Sequence, residues 1–403
     1  MLLGGAISHR AIAGFTVGQE IIRSVSARPL RMLVLGDSIL WGQGLKDEHK
    51  FSYLIREWLC LKRQHDHVML QQNCEASVQL HVEAHSGATI FKYQERDGAS
   101  KNKSPGEVPH SNPTVVAQIK QAADFYREQS IASDTVDLIL VNGGINDLHA
   151  ARLFLPFIFA PSITAEADKY CHQKMALVLE QLVATFPNAR IVVPGYLPLI
   201  SEKTSSIALL ELLEITFANQ SRNVEGFLKD DSAGELIRKL GVSERLRLSI
   251  LDQFTKLSNA WAKASTAAFR QAADEINFKH PWPSSPSMVS SSRIATGALN
   301  KRVMVIEVPF KSENAYGASD TYFWKAKRLD EKLDCIDPTL GLQLTSEDEM
   351  YRERPCMCQR EGKANELNCL HAGFMHPNRA GAQAYRDAIV KELEAILPLT
   401  SWL

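Results

Sequence analysis

Five short apolar runs constrain this chain more than any other feature. Met32–Leu35, Ser77–Glu83, Asp137–Asn142, Ala189–Pro194 and Val303–Glu307 are each too brief for a helix. Most are leucine-rich or β-branched, the pattern of strands buried on both faces. Between them lie helical spacings: Lys50–Lys62 with Phe51, Leu54, Ile55, Leu59 and Leu61, then Thr114–Glu128 entered through Asn112-Pro113, then Ala165–Phe186. A last helix runs from Asn378 to Ile396 and stops before Pro398. Strands alternating with helices predict a parallel sheet wrapped on both sides. Right-handed crossovers then gather the loops that follow the strands on one rim.

Three of those loops are small and polar. The first run breaks off at Gly36-Asp37-Ser38, with Gly42 and Gly44 keeping the next turn free of bulk. The second ends in Ala84-His85-Ser86-Gly87-Ala88-Thr89 and the third in Gly143-Gly-Ile-Asn-Asp147. Ser38 thus sits at the carboxyl end of a buried strand, where open parallel sheets place their ligand crevice. Taken alone, Gly-Asp-Ser reads equally well as a turn in which Asp37 or Ser38 caps a helix.

At 403 residues the chain can bury a large core. A net charge of −1 gives no sign of an extended nucleic-acid surface or a polybasic membrane patch, and no nucleic-acid partner is expected. No apolar run reaches the length of a bilayer span, so no integral membrane segment is expected. Met1–Arg10 makes a poor signal peptide, because His9 and Arg10 interrupt its apolar region; the compartment stays open. Residues 1–29 are expected to be an N-terminal extension, and 30–400 one α/β domain with a helical insertion, 201–300, between strands four and five. In the insertion, Ile207, Leu210, Leu213 and Phe217, then Leu251, Phe254, Leu257 and Trp261, form stripes that predict core rather than a mobile lid. Residues 93–113 read as an exposed loop, and 311–370 as a mixed, loop-rich segment. Of seven cysteines, four fall between 335 and 369, yet Cys356-x-Cys358 lacks the spacing of a zinc ribbon. Free thiols are the default expectation for Cys335, Cys356, Cys358 and Cys369, with one or two loop-closing disulfides as the alternative if the protein is exported.

Gly36-Asp-Ser38, Gly87, Gly144-Ile-Asn-Asp147 and His376-Pro-Asn378 with Gly381, in that order, resemble the four blocks of the SGNH/GDSL hydrolase family. The likeness runs over roughly residues 30 to 395 and is least informative over 201–300. It implies a flavodoxin-like three-layer α/β/α sandwich with a five-stranded parallel sheet. It also implies Ser38 as nucleophile, His376 as general base and acid, and an oxyanion hole from the backbone N–H groups of Ser38 and Gly87 and the side chain of Asn146. Asp37 and Asp147 would fix their turns. No cofactor or metal is implied, and the partner would be a small-molecule ester: an acylated sugar, a short-chain ester or a lipid. His85 and His149 lie near these blocks and read as ordinary loop residues.

The chemistry of these residue types agrees. A serine hydroxyl needs a base, and histidine titrates near neutral pH. His376 would open the final helix, with Pro377 near its first position. One position departs from the family pattern. The triad aspartate usually stands three residues before the histidine, where this chain has Gly373. Either a main-chain carbonyl orients His376, or an acid from elsewhere does, with Glu366, Glu313 and Asp320 as candidates. A Ser–His dyad is workable, because the acid mainly holds the tautomer and steadies the imidazolium. Three functions stay open: an esterase, an acyltransferase using the same site, and a ligand-binding member with an incomplete triad.

Overall fold

The computed structural model describes residues 28–66, 74–91, 106–223, 243–282, 301–325, 348–363 and 367–396. Five parallel strands, β1 (Leu30–Leu35), β2 (Val78–Val82), β3 (Leu138–Val141), β4 (Arg190–Pro194) and β5 (Val303–Ile306), form one sheet in the order β2-β1-β3-β4-β5. The five strands coincide with the five apolar runs. Every residue of β3 and β4 is buried, as continuous apolar runs covered on both faces require. Helices Phe51–Asp66 and Arg379–Ile396 pack together on one face of the sheet. Helices Val115–Glu128, Met175–Thr185 and Glu244–Lys279 cover the other. This is the expected doubly wound α/β/α sandwich.

The strand order decides where a site can form. From β1 the chain steps outward to β2, then returns past β1 to β3 and continues to β5. The loops after β1 and β3 therefore leave in opposite directions and open a crevice between them. Those are the loops that carry Ser38 and Asn146.

The connections differ from their sequence spacing in four places. The helix expected over Ala165–Phe186 begins at Ala160 and passes through a π-helical stretch, Asp168–Lys174, before resuming at Met175. The wider turn presents Tyr170 and Cys171 to the loop after β3. There a Cβ on Gly144 would lie 2.8 Å from Cys171 Sγ. Second, the stripe beginning at Ile207 is rotated. Ile207 is 71% exposed, whereas Ala208, Leu209, Leu212 and Leu213 are buried; the side chain of Phe217 lies outside the described residues. Third, the loop expected to be exposed is only partly so where it is described: Glu107 and Val108 are almost fully covered, whereas Ser111 is exposed. Fourth, the thiols are oxidised. Cys60 pairs with Cys74 and Cys358 with Cys369, and Cys356 is also disulfide-bonded. Cys171 is free and buried, and Cys335 lies outside the described residues.

Between β4 and β5 the chain forms helices Ser206–Asn223 and Glu244–Lys279. The second buries Phe254, Leu257, Trp261, Phe269, Ala272 and Ile276 at helical spacing, and the Trp261 ring lies 5.4 Å from that of Tyr196. These residues are core. Trp261→Ala is therefore expected to lower unfolding stability by about 3–5 kcal/mol in urea denaturation. A helix that merely hinged over the site would lose almost nothing.

Candidate active site

Three turns and one distant loop build the site. At the end of β1, Gly36 adopts a φ of +136°, and a Cβ there would lie 2.6 Å from Asn142 Oδ1, so only glycine fits against β3. Gln118 holds the same peptide from the adjacent helix. Its side-chain oxygen accepts from Gly36 N–H at 2.7 Å, and its amide donates to the Gly36 carbonyl at 3.0 Å. Asp37 then caps the short helix Ser38–Trp41, its Oδ1 accepting from Ile39 N–H at 2.9 Å. Ser38 is left at the first position of that helix, 4% exposed.

Tyr196, just past β4, ties this turn to the next. Its hydroxyl donates to Asp37 Oδ2 at 2.6 Å and accepts from Ile145 N–H at 3.3 Å. Burial pushes the Asp37 carboxyl up to about 6, despite these donors. Asn146 donates from its side-chain amide to the Ala88 carbonyl at 2.9 Å, and Asp147 accepts from Ile90 N–H at 2.9 Å. Burial likewise raises the Asp147 carboxyl. Gly87 has a φ of +79°, and its Cα faces the backbone of His110 so closely that a Cβ would fall 2.9 Å from it. His85 N–H donates to the Gly36 carbonyl, which fastens this turn to the first. Ser38, Gly87 and Asn146 thus stand on three loops laced to one another, with the Asp37 and Asp147 carboxylates each accepting from a backbone N–H within them. His85 is buried with Nδ1 against the Ser86 carbonyl at 2.8 Å, and His149 follows the Asn146 turn in a left-handed conformation.

His376 arrives from the far end of the chain. Phe323 bridges Pro377, Trp324 N–H donates to the His376 carbonyl at 2.9 Å, and Met375 N–H donates back to Trp324 at 3.1 Å. These bonds hold Met375 at a φ of +60°, a strained conformation for a side-chain-bearing residue. Asn378, rather than Pro377, opens the last helix, with its Oδ1 accepting from Gly381 N–H at 3.0 Å. Pro377 lies one residue before that cap.

The result is a close pair. His376 Nε2 lies 2.7 Å from Ser38 Oγ, and Nδ1 lies 3.0 Å from the Phe374 carbonyl oxygen. A carbonyl only accepts, so Nδ1 carries the proton and Nε2 presents its lone pair to the serine hydroxyl. Among the described residues no carboxylate hydrogen-bonds the ring. Glu313 and Asp320 are joined to each other through backbone in a separate turn, and Glu366 lies outside the described residues. The main-chain carbonyl is what orients the imidazole.

Packing around His376 lowers its basicity from an ordinary 6.5 to about 4, an effect only partly opposed by the Phe374 carbonyl. Between these two values the unfolded chain binds the proton first, so this group's contribution to stability falls as pH drops through that window. Asp37 acts in the opposite sense. Its folded state holds the proton more tightly, so its contribution falls as pH rises from about 3.8 to 6.

Sequence reading did not single out Gln118, Tyr196 or Asn142. Gln118 lies on a predicted helix and Asn142 and Tyr196 just past β3 and β4, but nothing in the local pattern marks a polar side chain that turns inward to brace a neighbouring loop.

Among the described residues no helix is long and apolar enough to cross a membrane. No protein-family model and no curated protein sequence matches the chain. Among solved structures it is similar to an extracellular lipase from Streptomyces rimosus, at 12% identity and a TM-score of 0.39, over 91% of this chain and 100% of that one. A phospholipase A1 from Streptomyces albidoflavus gives 11% identity and 0.39, over 92% and 100%. A carbohydrate esterase family 2 enzyme with a carbohydrate-binding domain, from Corynascus thermopiles (Myceliophthora fergusii), gives 12% and 0.36, over 93% and 69%. Likenesses this distant assign no activity to the chain.

Imidazole nitrogen NMR tests the protonation derived above. At neutral pH His376 is expected to be neutral with the proton on Nδ1, and to titrate well below 6.5. A titration at or above 6.5 would contradict the packing argument.

Proposed function

We propose that this chain is a serine hydrolase of the SGNH/GDSL type that cleaves carboxylic esters through an acyl-enzyme on Ser38. The observation that carries the reading is the 2.7 Å approach of His376 Nε2 to Ser38 Oγ, with the other ring nitrogen held on a carbonyl. A hydroxyl and an imidazole this close, on loops brought together from opposite ends of the chain, have the geometry of an activated nucleophile.

In the proposed reaction Ser38 Oγ bonds to the ester carbonyl carbon as its proton passes to His376 Nε2. The carbonyl oxygen becomes an oxyanion, held by the N–H groups of Ser38 and Gly87 and by the second amide N–H of Asn146. Collapse of this intermediate breaks the bond to the alcohol oxygen, which leaves with the proton from Nε2. Water then repeats the sequence: its oxygen bonds to the acyl carbon as Nε2 takes its proton, the bond to Ser38 Oγ breaks as Oγ takes that proton back, and the acid is released. The low basicity of His376 keeps its ring neutral across the neutral range, so the base form is always present, although it accepts a proton less strongly than an ordinary imidazole. The acyltransferase reading differs only in the second acceptor, and product analysis with and without an added alcohol separates the two. A binding module with a decayed site would have no need of the Ser38–His376 hydrogen bond.

A fluorophosphonate probe is expected to modify Ser38 stoichiometrically in the wild-type protein, read by mass spectrometry, and to leave Ser38→Ala and His376→Ala unmodified. Turnover of p-nitrophenyl acetate should fall at least about a thousandfold in both variants. In Asn146→Ala it should fall by about a hundredfold or more, with KM little changed. A folded wild-type protein that takes up no probe would overturn the hydrolase reading.

A further inference from the structure

A buried ion-pair network meets the turn that carries His376. Arg354, 1% exposed, grips Asp348 with both ends of its guanidinium, Nη1 to Oδ2 at 2.9 Å and Nη2 to Oδ1 at 3.0 Å. The same Nη2 reaches Glu107 Oε2 at 3.4 Å. Glu107 in turn accepts from Trp41 Nε1 at 3.1 Å, Gln43 Nε2 at 2.6 Å and Gly44 N–H at 3.3 Å, all in the loop that follows Ser38. On the far side of the network stands Gly373. A Cβ built there would lie 2.5 Å from Asp348 Oδ2 and 2.9 Å from its Cγ, so the carboxylate of Asp348 fills the space that a side chain at 373 would need. Position 373 is three residues before His376, where the sequence resemblance leads one to expect the acid.

We infer that Asp348 is the positioning residue for His376, a carboxylate delivered from a separate loop into the place of an aspartate at 373. The inference rests on the serine-hydrolase reading and names the group that completes its site. Asp348 acts through the turn. Its carboxylate packs against the Cα of Gly373, whose carbonyl accepts from His376 N–H at 3.1 Å, and the next carbonyl, that of Phe374, holds Nδ1. Setting the Gly373–Phe374 peptide therefore sets the ring. Asp348 also offsets Arg354, whose positive charge opposes the imidazolium that forms when Nε2 takes the serine proton. Asp348 touches neither the ring nor the reacting atoms, so it is no catalytic residue. A glycine at 373 is then a requirement of the arrangement rather than the mark of a lost triad.

Three variants test this: Asp348→Asn, Asp348→Gly, and Asp348→Gly combined with Gly373→Asp, each checked for folding by thermal denaturation and assayed on p-nitrophenyl acetate. Asp348→Asn is expected to lower kcat about tenfold to a hundredfold with KM within about twofold, the pattern of a displaced base rather than a damaged binding surface. Asp348→Gly should lose at least as much, and the double variant should recover most of it by returning a carboxylate to the same space from the other side. If Asp348→Asn does not fold, the comparison of Asp348→Gly with the double variant decides alone. Folded Asp348→Asn with kcat within twofold of wild type, or a double variant no better than Asp348→Gly, would overturn the inference. Fluorophosphonate labelling of the wild type is run alongside. Labelled Ser38 with undiminished Asp348→Asn turnover overturns this inference alone, whereas an unlabelled wild type overturns the hydrolase reading with it.

Discussion

The ion pair between Arg354 and Asp348, shared with Glu107, is what the rest of the site hangs on. It joins three segments that no single secondary-structure element connects: the loop after Ser38, the segment at 107, and the approach to His376. A guanidinium removed from water is unfavourable unless its donors are met, and here two carboxylates meet both Nη groups, while the buried Nε has no hydrogen-bond partner among the described residues. The arrangement is intolerant in consequence. Removing one partner leaves charge buried without compensation, a loss of roughly 3–5 kcal/mol for such groups. The parallel sheet puts the three strand-end loops on one rim by topology alone; the network fixes how the fourth loop, with the base, meets them.

The sheet and its rim were legible in the sequence because strand and turn signals are local. Met32–Leu35 and its four counterparts carry their own evidence of burial, and a strand that stops at Gly36-Asp37-Ser38 announces where the crevice is. The parts that escaped are those in which a side chain answers to a distant neighbour. Glu107 sits in a polar, glycine- and proline-rich stretch that reads as loop, and nothing local says that its carboxylate faces inward to Trp41 and Arg354. Asp348 and Gly373 make sense only together, since the glycine looks like a missing acid until the carboxylate in its space is seen. Ile207 lies exposed where an apolar stripe was expected, because its helix turns Ala208, Leu209, Leu212 and Leu213 to the core instead.

Around the Ser38–His376 pair, neutral polar groups work beside the Asp37 carboxylate. Gln118, Asn142 and Tyr196 hold the Ser38 turn with neutral groups, and a carbonyl rather than a carboxylate holds Nδ1 of His376. A carbonyl dipole steadies an imidazolium less than a full negative charge would, which accords with the low basicity of the ring.

The separation of the pair along the chain bears on how the protein matures. Ser38 and His376 lie 338 residues apart. Contacts that long are entropically the last to form, because the intervening chain must already be compact before they return anything. The sheet can therefore assemble before His376 Nε2 reaches Ser38 Oγ, a contact that waits until the segments bearing Asp348 and His376 dock. On the hydrolase reading proposed above, reactivity toward esters would belong to the finished molecule and not to a partly folded one.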